Sequence, residues 1–353
     1  MISYIIITVY LLGICWVYGK SRQLDSYGAR KVFALMTFGV MLFLMAFRRN
    51  DVGNDTMAYI RFFHQMKSGD YGADHRIEIG FRMLTILIGK ITKSDVIFMV
   101  CTVTIAFIPH MVLYIKENYR IDLAVIFFWL LLCVRICSVQ RQGIAMAFVA
   151  VGYLCWRKDT KWSLIQYIFF CFVATLFHNS AIIMIMLPIL NKKKIDIKLG
   201  SAIIIGAFLM TITNIIPTLY NMIAGNYFSR YSKIQSGWMS SIFNLMIGCM
   251  VYYLGYYVKG ICNSSKEKNF MSWCAVLYAS ISIMAVNVGI MGRISLYFLP
   301  FVIVLLVEEL SKNYKFKIVF EVGSIGALLG YNVLALLIRP EWNSFFPYYF
   351  FWQ

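Results

Sequence analysis

The sequence predicts an all-α polytopic membrane protein with about 10–13 transmembrane helices. Of its 353 residues, 61% are hydrophobic and only 14% are charged, and the mean hydropathy is +0.72. One soluble core could not bury that much apolar surface. The apolar runs are also continuous over about 15 to 21 residues, close to the length that a helix needs to cross a bilayer.

Twelve candidate spans follow one another along the chain. They cover 2–18, 32–47, 95–115, 123–137, 141–156, 163–177, 179–190, 199–219, 241–258, 270–290, 294–307 and 318–338. The first has no basic region before it and no small-residue cleavage site after it, so we expect a retained span and not a signal peptide. We expect residues 1–353 to form one transmembrane helical domain, with an extracytoplasmic loop over 48–94 that contains short interfacial helices.

The loops between these spans alternate in charge. Nineteen Lys and Arg lie in the loops 19–31, 116–122, 157–161, 191–198, 259–269 and 308–317. The positive-inside rule assigns these loops to the cytoplasm, so both termini are expected to face outward. The formal charge of +17 is therefore mainly a topology signal, and no nucleic-acid partner is expected.

Two apolar segments are too short to fit this pattern as ordinary spans. Residues 79–91 would cover only about 20 Å as a helix, so we expect an interfacial or re-entrant piece behind Glu78 and Gly80. Residues 163–190 join two basic loops that should share a side. They are therefore expected to form a hairpin, broken at the polar sequence His178-Asn179-Ser180.

The basic residues on the outward side are mostly arginine. With this topology, and leaving out the interfacial stretch 79–94, nine Arg and two Lys face outward, whereas the inward loops hold four Arg and fifteen Lys. A guanidinium matches phosphate oxygens with a planar fork of donors, so this bias suggests an anionic, phosphate-bearing ligand. The alternative is that single arginines reach lipid head groups or pair with nearby carboxylates. This alternative is weaker for Arg135, Arg141 and Arg293, because each lies at or inside the end of a predicted span. A charge at the centre of a span costs roughly 2.5–3.5 kcal/mol of insertion free energy.

A polar block, FRRNDVGNDTMAYIRFF, occupies residues 47–63 between the apolar runs. Gly53 and Asn54 predict a turn, followed by a surface helix over 56–66 with Asp55 in its first turn. We expect Asp55 to lie near Arg48 or Arg49. A simple helix-capping role is the alternative for Asp55.

No metal or cofactor is expected. No pair of histidines has metal-ligand spacing, and Walker loops, nucleotide-binding glycine fingerprints, nucleophile elbows and aspartate metal motifs are absent.

An ordered set of motifs resembles the EpsG family of bacterial exopolysaccharide proteins, which is related to the Wzy-type polysaccharide polymerases. The matching stretches are FRRNDVGNDTMAYIRFF, IEIGFRMLTILI, SVQRQGIAMAF, LFHNSAIIMI, GRISLYF and the terminal FFPYYFF. The resemblance runs from about residue 30 to the C-terminus. One small departure is Asn54, where the family pattern favours Thr or another small polar residue.

The resemblance implies a metal-independent glycosyltransferase at the outer face of the bacterial cytoplasmic (inner) membrane. A glycan carried on undecaprenyl diphosphate would be moved onto a second lipid-linked repeat, building an exopolysaccharide, capsule or O-antigen. The fold would be similar to that of multi-spanning lipid-sugar transferases and O-antigen ligases. Expected partners are the lipid-linked donor and acceptor, the bilayer and a chain-length regulator.

The candidate site residues follow from the outward set and these motifs. Arg135, Arg141 and Arg293, together with Arg48, are expected to clamp the donor diphosphate. Asp55, Glu78 or His178 is expected to accept the proton of the attacking sugar hydroxyl, since imidazoles titrate near neutral pH and a water-poor cleft raises carboxylate pKa values. Arg49, Tyr59, Gln140 and Tyr297 complete the expected substrate-binding set.

Two other classes of function compete with a polymerase. A flippase or transporter for the lipid-linked repeat predicts internal repeats and polar groups at the midplane, whereas the polar groups here are biased to one side. A membrane acyltransferase would use His178, and only that histidine supports it.

Overall fold

The computed structural model describes residues 2–20, 26–69, 77–118, 120–224, 236–258, 265–338 and 348–353. Within these ranges the chain is helical and forms no strand, and its β pairing is an isolated bridge between Arg48 and Phe350. The all-α class predicted from the sequence is confirmed.

The chain divides into two compact units, Met1–Ile182 with Lys315–Gln353, and Ile183–Tyr314. The helices of the first unit are α1 (Ile2–Lys20), α2 (Tyr27–Ala46), α3 (Thr56–Lys67), α4 (Ile79–Ile91), α5 (Asp95–Glu117), α6 (Ile121–Phe128), α7 (Val134–Ser138), α8 (Gln140–Trp156), α9 (Ser163–Phe177) and the last described helix of the chain, α17 (Lys317–Ile338). A 3₁₀ segment, Asn179–Met186, crosses the boundary. The second unit holds α10 (Leu187–Leu190), α11 (Ile197–Ile212), α12 (Ile216–Ala224), α13 (Trp238–Tyr257), α14 (Lys266–Met284), α15 (Ile290–Ser295) and α16 (Leu299–Ser311). The prediction of one domain over 1–353 stays a prediction.

Five stretches of the described chain are long and apolar enough to cross a membrane. They are Tyr27–Ala46, Asp95–Glu117, Ile121–Ser138, Trp238–Tyr257 and Lys317–Ile338. Tyr4–Gly19, Ser163–Phe177 and Asn179–Leu190 are apolar but shorter. The chain is therefore a polytopic membrane protein, and several of the twelve predicted spans are shorter than a full crossing.

One of the predicted spans is broken. The single helix expected over 199–219 ends at Ile212, and the chain bends by 93° before the next helix. Asn214 adopts a left-handed conformation with φ of 53°, which asparagine tolerates better than most residues. Pro217 lies in the first turn of α12, where its missing N–H is not needed, so the sequence favours a new helix there over a continued one.

The loops predicted to share the cytoplasmic side meet at one end within each unit. In the first unit, Arg30 donates to the carbonyl of Asn118 at 3.1 Å, and Arg120 pairs with Glu321 at 3.0 Å. In the second unit, the Asn269 side chain donates to the carbonyl of Lys193 at 3.2 Å. These contacts bring lysine-rich loops together within each unit, while the side of the membrane on which they lie stays a prediction.

A π-helical turn, Trp129–Cys133, interrupts the buried stretch that leads to Arg135. Such a turn rotates everything after it by about 100° relative to a continuous α-helix. The side chain of Asn332 on α17 donates to the carbonyl of Leu130 at 2.9 Å within this turn. The bulge therefore helps to set the direction in which α7 presents its polar residues.

Candidate active site

A buried carboxylate, Glu78, joins two of the other predicted site residues. The Arg141 guanidinium donates to its Oε2 atom, and the Nδ1 atom of His178 lies 3.1 Å from its Oε1 atom. The Glu78 side chain is only 8% exposed, against 24% for Arg141 and 17% for His178. The two outer partners are thus more open to a ligand than the carboxylate that connects them.

Helix ends bring Glu78 and His178 together. Glu78 precedes the first turn of α4, and His178 terminates α9, where its extended backbone (φ −158°, ψ 113°) leaves the helix. Gly80 permits the approach, since a Cβ there would lie 2.7 Å from the carbonyl oxygen of Leu176. The predicted bounds 79–91 and the predicted break at His178 are both confirmed.

A tight turn between α7 and α8 places Arg141 at the same end. A Cβ on Gly143 would lie 2.8 Å from the carbonyl oxygen of Ile136, so only glycine allows this turn to close. Helices α8 and α9 then run antiparallel, with Phe148 stacked on Phe177 at a centroid distance of 5.1 Å. Arg141 at the start of α8 therefore meets His178 at the end of α9.

Tyr59 completes the cluster, which we call the Glu78 cluster: Tyr59, Glu78, Arg141 and His178. Tyr59 on α3 is buried, at 6% exposure, and its hydroxyl is hydrogen-bonded to Arg141. Burial raises the pKa of Tyr59, and the positive charge of Arg141 only partly opposes this. Tyr59 is therefore a neutral phenol at physiological pH.

The charge state of Glu78 follows from its two partners. Burial alone would raise the pKa of Glu78, but the hydrogen bond from His178 and the charge of Arg141 outweigh it and leave the pKa below its ordinary value of 4.5. An ionised carboxylate only accepts hydrogen bonds. The Nδ1 atom of His178 is therefore the hydrogen-bond donor in its contact with Glu78.

Arg48 has a different environment from the other predicted arginines. It is 1% exposed and donates to the carbonyls of Met45, Val52 and Cys137 and to the Thr56 hydroxyl. The Val52 and Cys137 contacts are both 3.0 Å long. These contacts favour a structural role for Arg48, and its contact with a diphosphate stays a prediction.

Among the described residues, Asp55 forms no ion pair with Arg48 or Arg49, and the prediction that it lies near one of them stays a prediction. Arg49 pairs with Asp51 through two contacts of 2.7 Å, because these side chains lie two residues apart in the same turn. Gly53 forms the predicted turn with φ of 98°. Asp55 precedes α3 but makes no side-chain capping bond, so the capping alternative has no support. Asp55 is partly exposed, and its role as a base stays a prediction.

Arg135 and Gln140 lie at the same end of the first unit as the Glu78 cluster. Arg135 is half-buried, and its guanidinium makes no hydrogen bond or ion pair to a described residue. Gln140 is 2% exposed and donates to the sulfur of Met99 at 3.2 Å. Arg135 is thus available to bind an external anion.

The remaining predicted residues belong elsewhere. In the second unit, Arg293 on α15 is exposed and Tyr297 is 1% exposed. The outward arginines Arg76, Arg230 and Arg339 lie outside the described residues. Among the residues that are described, no group of three or more His, Cys, Asp or Glu could hold a metal ion.

Sequence reasoning had no signal for some of the positioning features. Gly80 and Gly143 allow close approach of the backbone at Leu176 and Ile136. Nothing in the sequence distinguishes such glycines from the other glycines of the chain. His64 lies 2.9 Å from Asp95 at the same end of the unit. This second histidine–carboxylate pair lies outside the Glu78 cluster.

Comparison with known proteins assigns the family. No curated protein and no solved structure gives a significant match. The model of the EpsG family matches residues 31–350, nearly the whole chain, including every residue of the Glu78 cluster. The family is one of polysaccharide biosynthesis, whose members are glycosyltransferase-like polymerases. The chain therefore belongs to the EpsG family.

Proposed function

We propose that the chain polymerises lipid-linked oligosaccharide repeats at the outer face of the bacterial cytoplasmic membrane. The donor would be a glycan on undecaprenyl diphosphate, and the acceptor a second lipid-linked repeat. The observation that carries this proposal is the Glu78 carboxylate held between Arg141 and His178. It supplies an oriented base and a cation at one place, beside the apolar helices.

The proposed step is a displacement at the anomeric carbon of the donor sugar. The acceptor hydroxyl attacks this carbon and passes its proton to Nε2 of His178, while the bond to the diphosphate oxygen breaks. Glu78 holds His178 through Nδ1–H and stabilises the imidazolium that forms, as carboxylates do in other histidine dyads. Glu78 is thus a positioning residue in this scheme.

The leaving group requires positive charge. Undecaprenyl diphosphate departs with negative charge on its oxygens, and fixed guanidinium groups stabilise such charge without any reorganisation. Arg135 is available for this role, and Arg141 adds its remaining donors. Arg48 is already bound to backbone carbonyls, so this scheme does not require it. The reaction would then need no divalent ion.

The test is elongation by purified protein in detergent with lipid-linked repeat and no energy source. A polymerase yields a ladder of glycan lengths, whereas a transporter or an acyltransferase yields none. We expect His178→Ala to slow elongation by roughly 10²-fold or more, the usual contribution of a general base. Only the single repeat should accumulate.

The matched control is His64→Ala, which removes the histidine that faces Asp95 and lies outside the Glu78 cluster. It should leave the ladder unchanged. If both histidine variants elongate as the wild type does, His178 is not the base. If the wild-type protein makes no ladder from an accepted donor, the polymerase proposal itself fails.

A further inference from the structure

A cavity of about 570 Å³ lies in the first unit, at the end opposite the Glu78 cluster. Its walls come from α1, α6 and α17, and include Leu12, Trp16, Leu123, Val322 and Ile325. Three charged residues, Arg120, Asp122 and Glu321, line the same cavity. A mostly apolar cavity of this size with a few placed polar groups is the usual form of a small-molecule site.

The polar and apolar linings are separated along the helix axes. The helix ends at the lysine-rich loops lie within about two turns of Gly19, Arg120 and Glu321. Leu12 on α1 and Ile325 on α17 lie one to two turns deeper along their helices. The cavity therefore has a charged mouth and an apolar interior, which matches a molecule with a polar head and a hydrocarbon tail.

The charges at the mouth favour a cationic head group. Arg120 pairs with Asp122 at 2.8 Å and with Glu321 at 3.0 Å, so one cation faces two carboxylates and the formal charge is −1. Arg120 bonds only the Oε1 atom of Glu321. The Oε2 atom makes no hydrogen bond to a described residue and can accept from an ammonium group.

We propose that this cavity binds an aminophospholipid of the leaflet on the lysine-rich side. The ammonium group would bind Glu321, and the phosphate would face the lysine-rich loops. One acyl chain would enter between α1 and α17. Helix α17 is otherwise weakly packed, since only 11% of its most apolar stretch is buried against the rest of the protein. A lipid in this position would join α17 to the rest of the unit.

The experiment uses the full-length protein in detergent, with phosphatidylethanolamine, phosphatidylglycerol or phosphatidylcholine added at equal mole fraction. Thermal unfolding is the readout, because a ligand that binds only the folded state raises the midpoint. We expect phosphatidylethanolamine to raise the midpoint by several degrees more than the other two lipids. Native mass spectrometry should show one phosphatidylethanolamine retained after dilution.

Two variants test the site itself. Glu321→Gln should abolish the preference for phosphatidylethanolamine, and Ile325→Trp should abolish retention by filling the cavity. Glu308→Gln, a carboxylate of the second unit with 37% side-chain exposure, should keep both. Equal shifts from the three lipids would mean ordinary bulk-lipid contact and overturn the proposal. A preference for phosphatidylglycerol, or for phosphatidylethanolamine in both site variants, would overturn it as well.

Discussion

At the scale of single residues, Glu78 and Arg48 are both buried charges, but their partners differ in kind. Arg48 donates mainly to backbone carbonyls, which fixes a turn and leaves little for a ligand. Glu78 binds two side chains that can themselves contact a substrate. The buried charge of Arg48 therefore stabilises the fold, whereas we propose that the buried charge of Glu78 orients a catalytic base.

This difference predicts that Arg48→Met destabilises the protein. The substitution keeps much of the volume but removes the guanidinium donor from the carbonyls of Met45 and Cys137, whereas the Val52 carbonyl keeps the Thr56 hydroxyl as a donor. Each buried polar group left unsatisfied costs about 1–3 kcal/mol. We expect the free energy of unfolding to fall by roughly 3 kcal/mol or more, measured by denaturation in detergent. Arg49→Met, at an exposed ion pair, should change stability little. A stable Arg48→Met protein that has lost elongation would instead support the diphosphate contact.

The pKa of Glu78 gives a prediction for stability against pH. Its folded-state pKa lies below the ordinary value of 4.5, so ionisation of Glu78 favours the folded state. That contribution is complete above the unfolded pKa and is lost as the pH falls through the lowered folded pKa. The unfolding midpoint of the wild type should therefore exceed that of Glu78→Gln at neutral pH, and the difference should shrink below about pH 4.5. A difference that grows on acidification would mean that folded Glu78 is protonated.

At the scale of elements, the sequence predicts what local signals control. The helix over 79–91, the turn at Gly53 and the break at His178 depend on nearby glycine, polar and apolar residues. The Glu78 contacts join residues that are 63 and 100 positions apart, and no local pattern records such a pairing. The bend at Asn214 was missed because the surrounding apolar run is continuous, although Pro217 marked where a new helix could begin.

The approach of α4 to α9 predicts a specific effect of Gly80→Ala. A Cβ at 2.7 Å from the Leu176 carbonyl must push the two helices apart, and with them Glu78 from His178. Because small displacements of reacting groups are costly, elongation should slow by on the order of 10²-fold. Gly89→Ala on the same helix is the control, since its Cβ would meet no atom closer than 3.6 Å. Equal rates for the two variants would show that the spacing of α4 and α9 does not set activity.

At the scale of the whole molecule, the distribution of charge predicts which end faces outward. The lysine-rich loops meet at one end in each unit, as the contacts of Arg30 with Asn118 and of Asn269 with Lys193 show. The Glu78 cluster lies at the other end of its unit. By the positive-inside rule the cluster then opens to the exterior, the face at which we propose that elongation takes place.

Labelling of single introduced cysteines in intact cells tests this orientation directly. Asn54 and Lys193 are both exposed, so a cysteine at either position is accessible from its own side of the membrane. The described native cysteines are buried or partly buried and should give a low background. A membrane-impermeant maleimide should label Asn54→Cys in intact cells and Lys193→Cys only after the cells are opened. The reverse pattern would place the Glu78 cluster in the cytoplasm, where an externally assembled polysaccharide could not be elongated.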